Sequence, residues 1–192
     1  MPTQRQPDAV ALLKQDHRTV EDLFEKFEST SGKATKAKLA QRICAELTIH
    51  QIIEEEIFYP EVRSISEDVA DLVDEGLQEH HVAKILLEEI QGLDADDDAF
   101  VAKVKVLIEN VEHHAGEEEE DLFPPIRSST TAEAREDLGQ RLDARKGELG
   151  APTLADRDGL TKTELDELAR EQEIPGRSTM DKDELAATVD PS

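Results

Sequence analysis

The sequence predicts an all-α protein: an antiparallel up-down bundle of four helices, an extra helix, and a small C-terminal helix-extended-helix module. The 192 residues contain no tryptophan and only 3% aromatic side chains, so leucine, valine, isoleucine and alanine must build the core, a mixture that suits helices packed on helices. Apolar residues recur three and four positions apart along four long stretches, which is the period of a helix. The connections between these stretches are short and favour antiparallel neighbours.

The first two helices are predicted at residues 8–29 and 34–57, where apolar residues follow the helical period. Residues 31–33 separate them, because serine and glycine are weak helix formers. Pro60 is predicted to end the second helix, since proline lacks an N–H and its ring clashes with the preceding turn.

The third and fourth helices are predicted on either side of an acidic loop at residues 92–98. Ser66 is the expected N-cap of the third helix, because its hydroxyl can accept a hydrogen bond from a free N–H of the first turn. The fourth helix is predicted to stop before Pro124. A fifth helix is predicted at residues 130–147, where Thr130 begins a Thr-x-x-Glu sequence with the spacing of a capping box.

These patterns divide the chain into four segments. The linker is indicated by residues 147–159, which contain three glycines, a proline and no helical period. The predicted segments are the bundle at 1–128, the additional helix at 129–148, the linker at 149–159 and the small module at 160–192.

The net charge of −24 argues against nucleic acid and anionic membranes as partners, because both are polyanions that bind basic surfaces. The sequence contains no apolar run of the length that spans a membrane and no apolar signal segment at its start. A single cysteine excludes an internal disulfide. We therefore expect a cytoplasmic protein.

The clearest motif is a duplicated His-x-x-x-Glu sequence, formed by His50 with Glu54 and, 64 residues later, by His114 with Glu118. Side chains four positions apart lie on the same face of a helix, one turn from each other. Both motif histidines have apolar residues three, seven and ten positions before them, whereas His113 follows a poorer stripe. We therefore expect His50 and His114, each with its glutamate, to face the core.

The same test selects one histidine on each remaining helix of the bundle. His17 and His80 are followed by apolar residues at the same helical spacings. His81 is followed by Lys84 and Glu88, which indicate a solvated face. Each of the four helices is thus predicted to direct one histidine inward.

Four histidines and two glutamates in one core predict a metal centre. Unpaired buried carboxylates cost several kcal/mol each, and two divalent ions bridged by the glutamates would remove that cost. Mixed nitrogen and oxygen ligands suit iron, manganese or zinc. The neighbouring acidic residues are expected on a solvated face, with Glu55, Glu119 and His81 left open as additional ligands.

Taken together, these motifs resemble the hemerythrin-like HHE cation-binding domain over about residues 8–126. The similarity lies in a histidine on the first helix, His-x-x-x-Glu before Phe-Tyr-Pro on the second, Glu-His-His on the third and His-x-x-x-Glu before Leu-Phe-Pro on the fourth. It implies an antiparallel four-helix bundle around two non-heme iron ions, with manganese or zinc as alternatives and O₂ or an oxo or hydroxo bridge as further ligand. By position it gives ligand roles to His17, His50, Glu54, His80, His114 and Glu118.

One departure from the oxygen-carrying hemerythrins bears on function. Those proteins have a second histidine four residues after the third-helix ligand, whereas here Lys84 follows His80 and Ile85 follows His81. The missing histidine favours a protein that senses or handles O₂, peroxide or nitric oxide, or that buffers iron, over simple O₂ carriage. Two alternatives stay open: a di-iron enzyme that disproportionates peroxide, and a regulatory adaptor with a structural metal site.

Residues 160–192 resemble the small helix-extended-helix module of the Rho termination factor N-terminal domain. The similarity lies in Leu-Thr-Lys-Thr-Glu-Leu and in Ile-Pro-Gly-Arg-Ser-Thr-Met. That family often contacts nucleic acid, but residues 151–192 carry five basic and eleven acidic side chains. Because such a surface repels a polyanion, we expect the module to dock to a protein.

Overall fold

The computed structural model describes residues 8–151 and the positions 169, 170, 174, 177, 180 and 185. Within these residues every regular element is a helix, as predicted. Most of the expected linker and nearly all of the module predicted at 160–192 lie outside the described residues. The helices are α1 (Ala9–Ser29), α2 (Lys33–Ile53), α3 (Tyr59–Val62), α4 (Glu67–Gln91), α5 (Asp98–Glu117), α6 (Phe123–Ser129) and α7 (Ala132–Glu148), with π-helical turns π1 (Glu54–Phe58) and π2 (Glu118–Leu122).

The four long helices α1, α2, α4 and α5 form the bundle. Helix α1 contacts α2 and α5, and α4 contacts the same two helices, which closes a ring of four. The additional helix α7 packs on the outside of this ring against α1 and α2. Within the described part of the chain, no helix is long and apolar enough to cross a membrane.

Side-chain caps fix several helix starts. Asp8 accepts hydrogen bonds from the N–H groups at the start of α1, and Ser66 accepts one from Val69, as predicted for the third long helix. The prediction for α7 was one residue off. Thr131 is its N-cap, because the Thr130 hydroxyl instead donates to the carbonyl of Ile126, 2.6 Å away, at the end of α6.

The prolines do not end the helices that carry the duplicated motif. A π turn begins at the glutamate of each motif, in which the Tyr59 N–H donates to the carbonyl of Glu54 and the Phe123 N–H to that of Glu118, five residues back. Pro60 and Pro124 then occupy the first turn of the next α-helical segment, where the missing N–H is tolerated. The predicted helix ends at these two prolines were therefore wrong, because the chain stays helical past both of them.

Two apolar clusters fill the bundle at different heights. One contains the start of α1, the π turns and the inner face of α7, including Leu13, Phe58 and Leu142. The other contains the far halves of the long helices, including Phe27 and Leu107. Between these clusters lies a layer of buried polar side chains, which is the only part of the described core where histidines and carboxylates meet.

Candidate metal centre

The polar layer contains the six residues predicted as metal ligands. One histidine comes from each long helix, and the two glutamates are the first residues of π1 and π2. Each of the six is at most 6% exposed. The neighbouring histidines point elsewhere, since His81 and His113 are both exposed. The buried six are His17, His50, Glu54, His80, His114 and Glu118.

Their ligand atoms form two groups that share a glutamate. In the first, His17 Nε2 lies 3.3 Å from Glu118 Oε2, and His50 Nε2 lies 3.2 Å from Glu54 Oε2. In the second, His80 Nε2 lies 3.3 Å from the same Glu54 oxygen and 3.1 Å from the Nε2 of His114. The His114 Nε2 is 3.9 Å from Glu118 Oε2, so the second glutamate also approaches both groups.

These atoms are better suited to binding two metal ions than to hydrogen bonding with one another. Both oxygens of Glu54, Oε2 of Glu118 and Nε2 of His17 are buried without a hydrogen-bond partner in the described structure. Leaving such groups unpaired costs about 1–3 kcal/mol each, and more when they are charged. Atoms that share one first-row ion at about 2.0–2.2 Å lie about 3.0–3.6 Å apart, which is the spacing found here.

Without an ion, the two glutamates cannot ionise equally. Burial and the nearby charge of Glu118 raise the pKa of Glu54 well above its usual value. Burial would also raise the pKa of Glu118, but His114 and His17 outweigh it and lower that pKa. Burial would lower the pKa of His17, yet Glu118 and Glu54 raise it to about 9. The metal-free site therefore holds protons that bound cations would displace.

Each inward histidine has a carboxylate behind it. Nδ1 of His17 lies 2.9 Å from Glu119, and Nδ1 of His80 lies 3.0 Å from Glu55. A carboxylate in this position keeps the proton on Nδ1, orients the ring and directs the Nε2 lone pair inward. Glu55 and Glu119, which the sequence left open as ligands, thus lie outside the two groups of ligand atoms.

Sequence reasoning missed the other two of these carboxylates. Asp16 lies 3.5 Å from Nδ1 of His50, and Glu79 lies 2.7 Å from Nδ1 of His114. Each directly precedes an inward histidine in the sequence, but its carboxylate lies beside the inward histidine of another helix. The available signal was that each of these two acidic residues stands next to an inward histidine in the sequence.

The hydroxyl of Tyr59 lies among the ligand atoms of the polar layer. Its Oη donates to Glu118 Oε1 at 3.0 Å and lies 3.4 Å from His114 Nε2. Burial, followed by the charges of the two glutamates, raises the pKa of Tyr59 well above its usual value, so the hydroxyl keeps its proton. Gly76 provides the space, because a Cβ there would lie 3.1 Å from Tyr59 Oη.

The second copy of the motif has Phe123 where the first has Tyr59, nine residues after the histidine in both cases. The Phe123 ring stacks on His17 at a centroid distance of 6.0 Å. The two halves of the centre therefore differ: one has a hydroxyl donor and the other has an apolar ring.

A mostly apolar cavity, whose lining does not include Tyr59, adjoins the histidines. Its walls include Val20, Phe24, Leu47 and Ala83 as well as all four inward histidines. A space of this kind admits small uncharged molecules to the rings more readily than ions.

Comparison with known proteins agrees with this geometry. The family model for the hemerythrin HHE cation-binding domain matches residues 8–126, more than half of the chain. A DNA nickase of Nostoc sp. (strain PCC 7120) is 29% identical over 140 residues, which cover 72% of this chain and 39% of the nickase. An uncharacterised hemerythrin-like protein of Schizosaccharomyces pombe is 24% identical over 119 residues, 62% of this chain and 59% of the relative.

The chain thus spans less than two thirds of the length of these curated relatives. No solved structure matches it. The resemblance of the C-terminal segment to the Rho module stays a prediction. For residues 8–126, the family predicted from the motifs is confirmed: the chain belongs to the hemerythrin HHE cation-binding domain family.

Proposed function

We propose that the protein holds two non-heme iron ions in the polar layer and uses them to sense or handle O₂, peroxide or nitric oxide, or to buffer iron. One observation carries the proposal: buried Glu54 and Glu118 oxygens without hydrogen-bond partners face four inward histidine nitrogens at ligand spacing. The proposed ligands are His17, His50, Glu54, His80, His114 and Glu118.

The assignment of roles follows the two groups of ligand atoms. His17 and His50 would hold one ion, and His80 and His114 the other. Glu54 would bridge both, with Glu118 as the second bridge, so that two carboxylates balance part of the cationic charge. Iron supplies the electrons that O₂, peroxide or nitric oxide chemistry requires, while manganese and zinc suit the same ligands.

The protein side chains supply the environment for such a ligand. The cavity admits a small uncharged molecule beside the histidines. Tyr59 holds an oxygen of Glu118 on the His114 side, because its hydroxyl keeps its proton and donates it to that carboxylate. On the His17 side, the buried Phe123 ring offers no polar group. The two sides of the centre therefore differ in polarity, with an apolar ring beside His17 and a hydroxyl group beside His114.

Lys84 supports sensing or handling over reversible carriage. It occupies the position where oxygen carriers have their additional histidine, and its ammonium donates to Glu55 at 2.6 Å on the outside of the bundle. This position therefore offers no further ligand to the ion beside His80. Two histidines for each ion leave room for exogenous ligands on both.

Neither alternative from the sequence is favoured. Peroxide disproportionation and an adaptor with a structural metal each need an observation beyond the cluster and the family match. The name of the Nostoc relative describes a protein more than twice as long as the matched part. A net charge of −24 also opposes DNA as a substrate of this chain, so we do not extend nicking to it. The C-terminal segment is proposed to dock a protein partner in the cytoplasm.

The test is an optical titration of anaerobically prepared, iron-loaded protein with O₂, peroxide and nitric oxide. The account predicts new near-ultraviolet and visible absorption with at least one of the three. His50→Ala should abolish the change, while His81→Ala, an exposed histidine on α4, should leave it intact. An iron-loaded protein that responds to none of the three would contradict sensing or handling and leave iron buffering, and an unchanged response in His50→Ala would contradict the assigned ligands.

A further inference from the structure

A third group of possible ligands lies outside the buried centre, on the surface between α4 and α5. His113 Nε2 lies 3.2 Å from Glu117 Oε1, on the same helix, and 3.5 Å from Glu79 Oε1 on α4. The His113 side chain is 63% exposed, while those of Glu117 and Glu79 are 32% and 14% exposed. The group combines a nitrogen donor with two carboxylates, which is a mixed donor set of the kind that first-row divalent ions take.

The three ligand atoms converge closely enough to share a cation, since all of them lie within 4.8 Å of one another. An N–H···O hydrogen bond joins atoms about 2.7–3.2 Å apart, so one distance is at the limit and the other beyond it. Tetrahedral ligands at about 2.0–2.2 Å from one ion lie about 3.3–3.6 Å from each other. Both observed distances, 3.2 and 3.5 Å, are close to this separation between ligand atoms.

A crevice connects this surface group with the buried centre. Glu79 and Glu117 line its more exposed part, and Tyr59, His114 and Glu118 line its buried part. Glu118 Oε2 is buried there without a hydrogen-bond partner. Carboxylates, a hydroxyl and an imidazole line the crevice together with Leu72, Gly76 and Leu122. Its lining is more polar than that of the apolar cavity, with which it shares Glu79 and His114. It is therefore suited to a cation, whereas the cavity is suited to an uncharged molecule.

Glu79 belongs to both ends of this route. Its Oε1 faces His113 in the surface group, and its Oε2 lies 2.7 Å from Nδ1 of His114. One carboxylate thus contacts the surface group and a histidine of the centre at the same time. An ion bound at the surface would therefore share the Glu79 carboxylate with His114, a histidine of the buried centre.

We propose that Glu79, His113 and Glu117 form a third divalent-cation site, which takes up ions at the surface and delivers them through the crevice to the buried pair. The delivery role rests on the proposed function, whereas the existence of the site does not. Three protein ligands and partial exposure leave water in the remaining positions, so the third ion should exchange quickly, unlike the buried two.

Cobalt(II) is the probe for the site. The two tightly held ions are counted first, and the loaded protein is then titrated with Co²⁺ in equilibrium dialysis. We expect a third equivalent that a chelator removes at once. His113→Gln and Glu117→Gln should weaken it about tenfold or more, at least the loss that removal of an outer partner of a metal ligand causes. His81→Gln is the matched control, because it removes an exposed histidine of α4 and should leave the third equivalent intact.

Delivery is tested on the metal-free protein by the rate at which Co²⁺ fills the buried sites. His113→Gln should slow filling while the final number of tight ions stays at the wild-type value. A loaded protein that takes no third ion, or one whose third ion survives His113→Gln, would overturn the site. A lost third ion with unchanged filling would overturn delivery. Failure of the proposed function would show separately, in the count of tight ions before the titration.

Discussion

Replacing Lys146 by methionine is expected to destabilise the protein strongly, because the change strands a buried carboxylate. The Lys146 ammonium on α7 donates to Asp16 on α1, and the two side chains are only 8% and 14% exposed. Burial alone would raise the pKa of Asp16, but Lys146 and His50 lower it below its usual range. The carboxylate therefore stays charged behind the His50 ring, and without Lys146 it would lose its principal counter-ion.

The magnitude follows from the burial of the pair. Removing one partner of a buried ion pair costs about 3–5 kcal/mol, whereas an exposed pair contributes about 0–1 kcal/mol. Arg145, the preceding residue, provides the exposed comparison through its 2.8 Å pair with Glu56. With a urea m-value of about 2 kcal/mol/M, Lys146→Met should lower the unfolding midpoint by about 1.5–2.5 M and Arg145→Met by less than about 0.5 M.

Urea unfolding of the metal-free proteins, followed by far-ultraviolet circular dichroism, measures both midpoints without a contribution from bound ions. The double variant Lys146→Met/Asp16→Leu should recover part of the loss, because no unpaired charge is then left in the core. Equal midpoints for Lys146→Met and Arg145→Met would refute the reasoning.

Three further outcomes are expected. Gly76→Ala would place a Cβ 3.1 Å from Tyr59 Oη, whereas the Cβ of Gly116→Ala meets nothing within 4 Å. Thermal unfolding should therefore find Gly76→Ala about 1–3 kcal/mol less stable than Gly116→Ala, and equal stability of the two variants would contradict the close packing at Gly76. His17 holds its proton to about pH 9 in the folded chain and to 6.5 when unfolded, so its contribution is complete below pH 6.5 and is lost as the pH rises through 9. Metal-free protein should accordingly lose up to about 3 kcal/mol over this window in urea titrations, and a flat profile would count against the proton on His17. At pH 7, ion binding should release at least one proton per chain, which calorimetry in buffers of different ionisation enthalpy detects; an enthalpy independent of buffer would exclude it.

The fold could be predicted because it depends on helical period. Apolar residues at spacings of three and four define the inner face of each helix, and the same period selected His80 over His81 and His114 over His113 as inward residues. Burial then brings side chains of four distant segments into one layer. Period and register therefore sufficed for the bundle.

Features that break the helical period could not be predicted. The π turn Glu54–Phe58 shifts the register by one residue and brings Tyr59 to the metal centre. The sequence pattern predicted an unbroken α-helix that ended at Pro60. The pair of Lys146 with Asp16 joins residues 130 positions apart, and nothing local signals it. Contacts of this kind depend on how α7 packs against the bundle, which periodicity alone does not specify.

The most direct test of the account is the number of metal ions held by each chain. Protein loaded anaerobically with Fe²⁺ and dialysed should retain two ions per chain, as should His81→Ala. His114→Ala should retain fewer, because it removes one histidine from the pair that His80 completes. One ion or none in the wild-type protein, or two ions in His114→Ala, would contradict a buried metal pair bridged by Glu54 and Glu118.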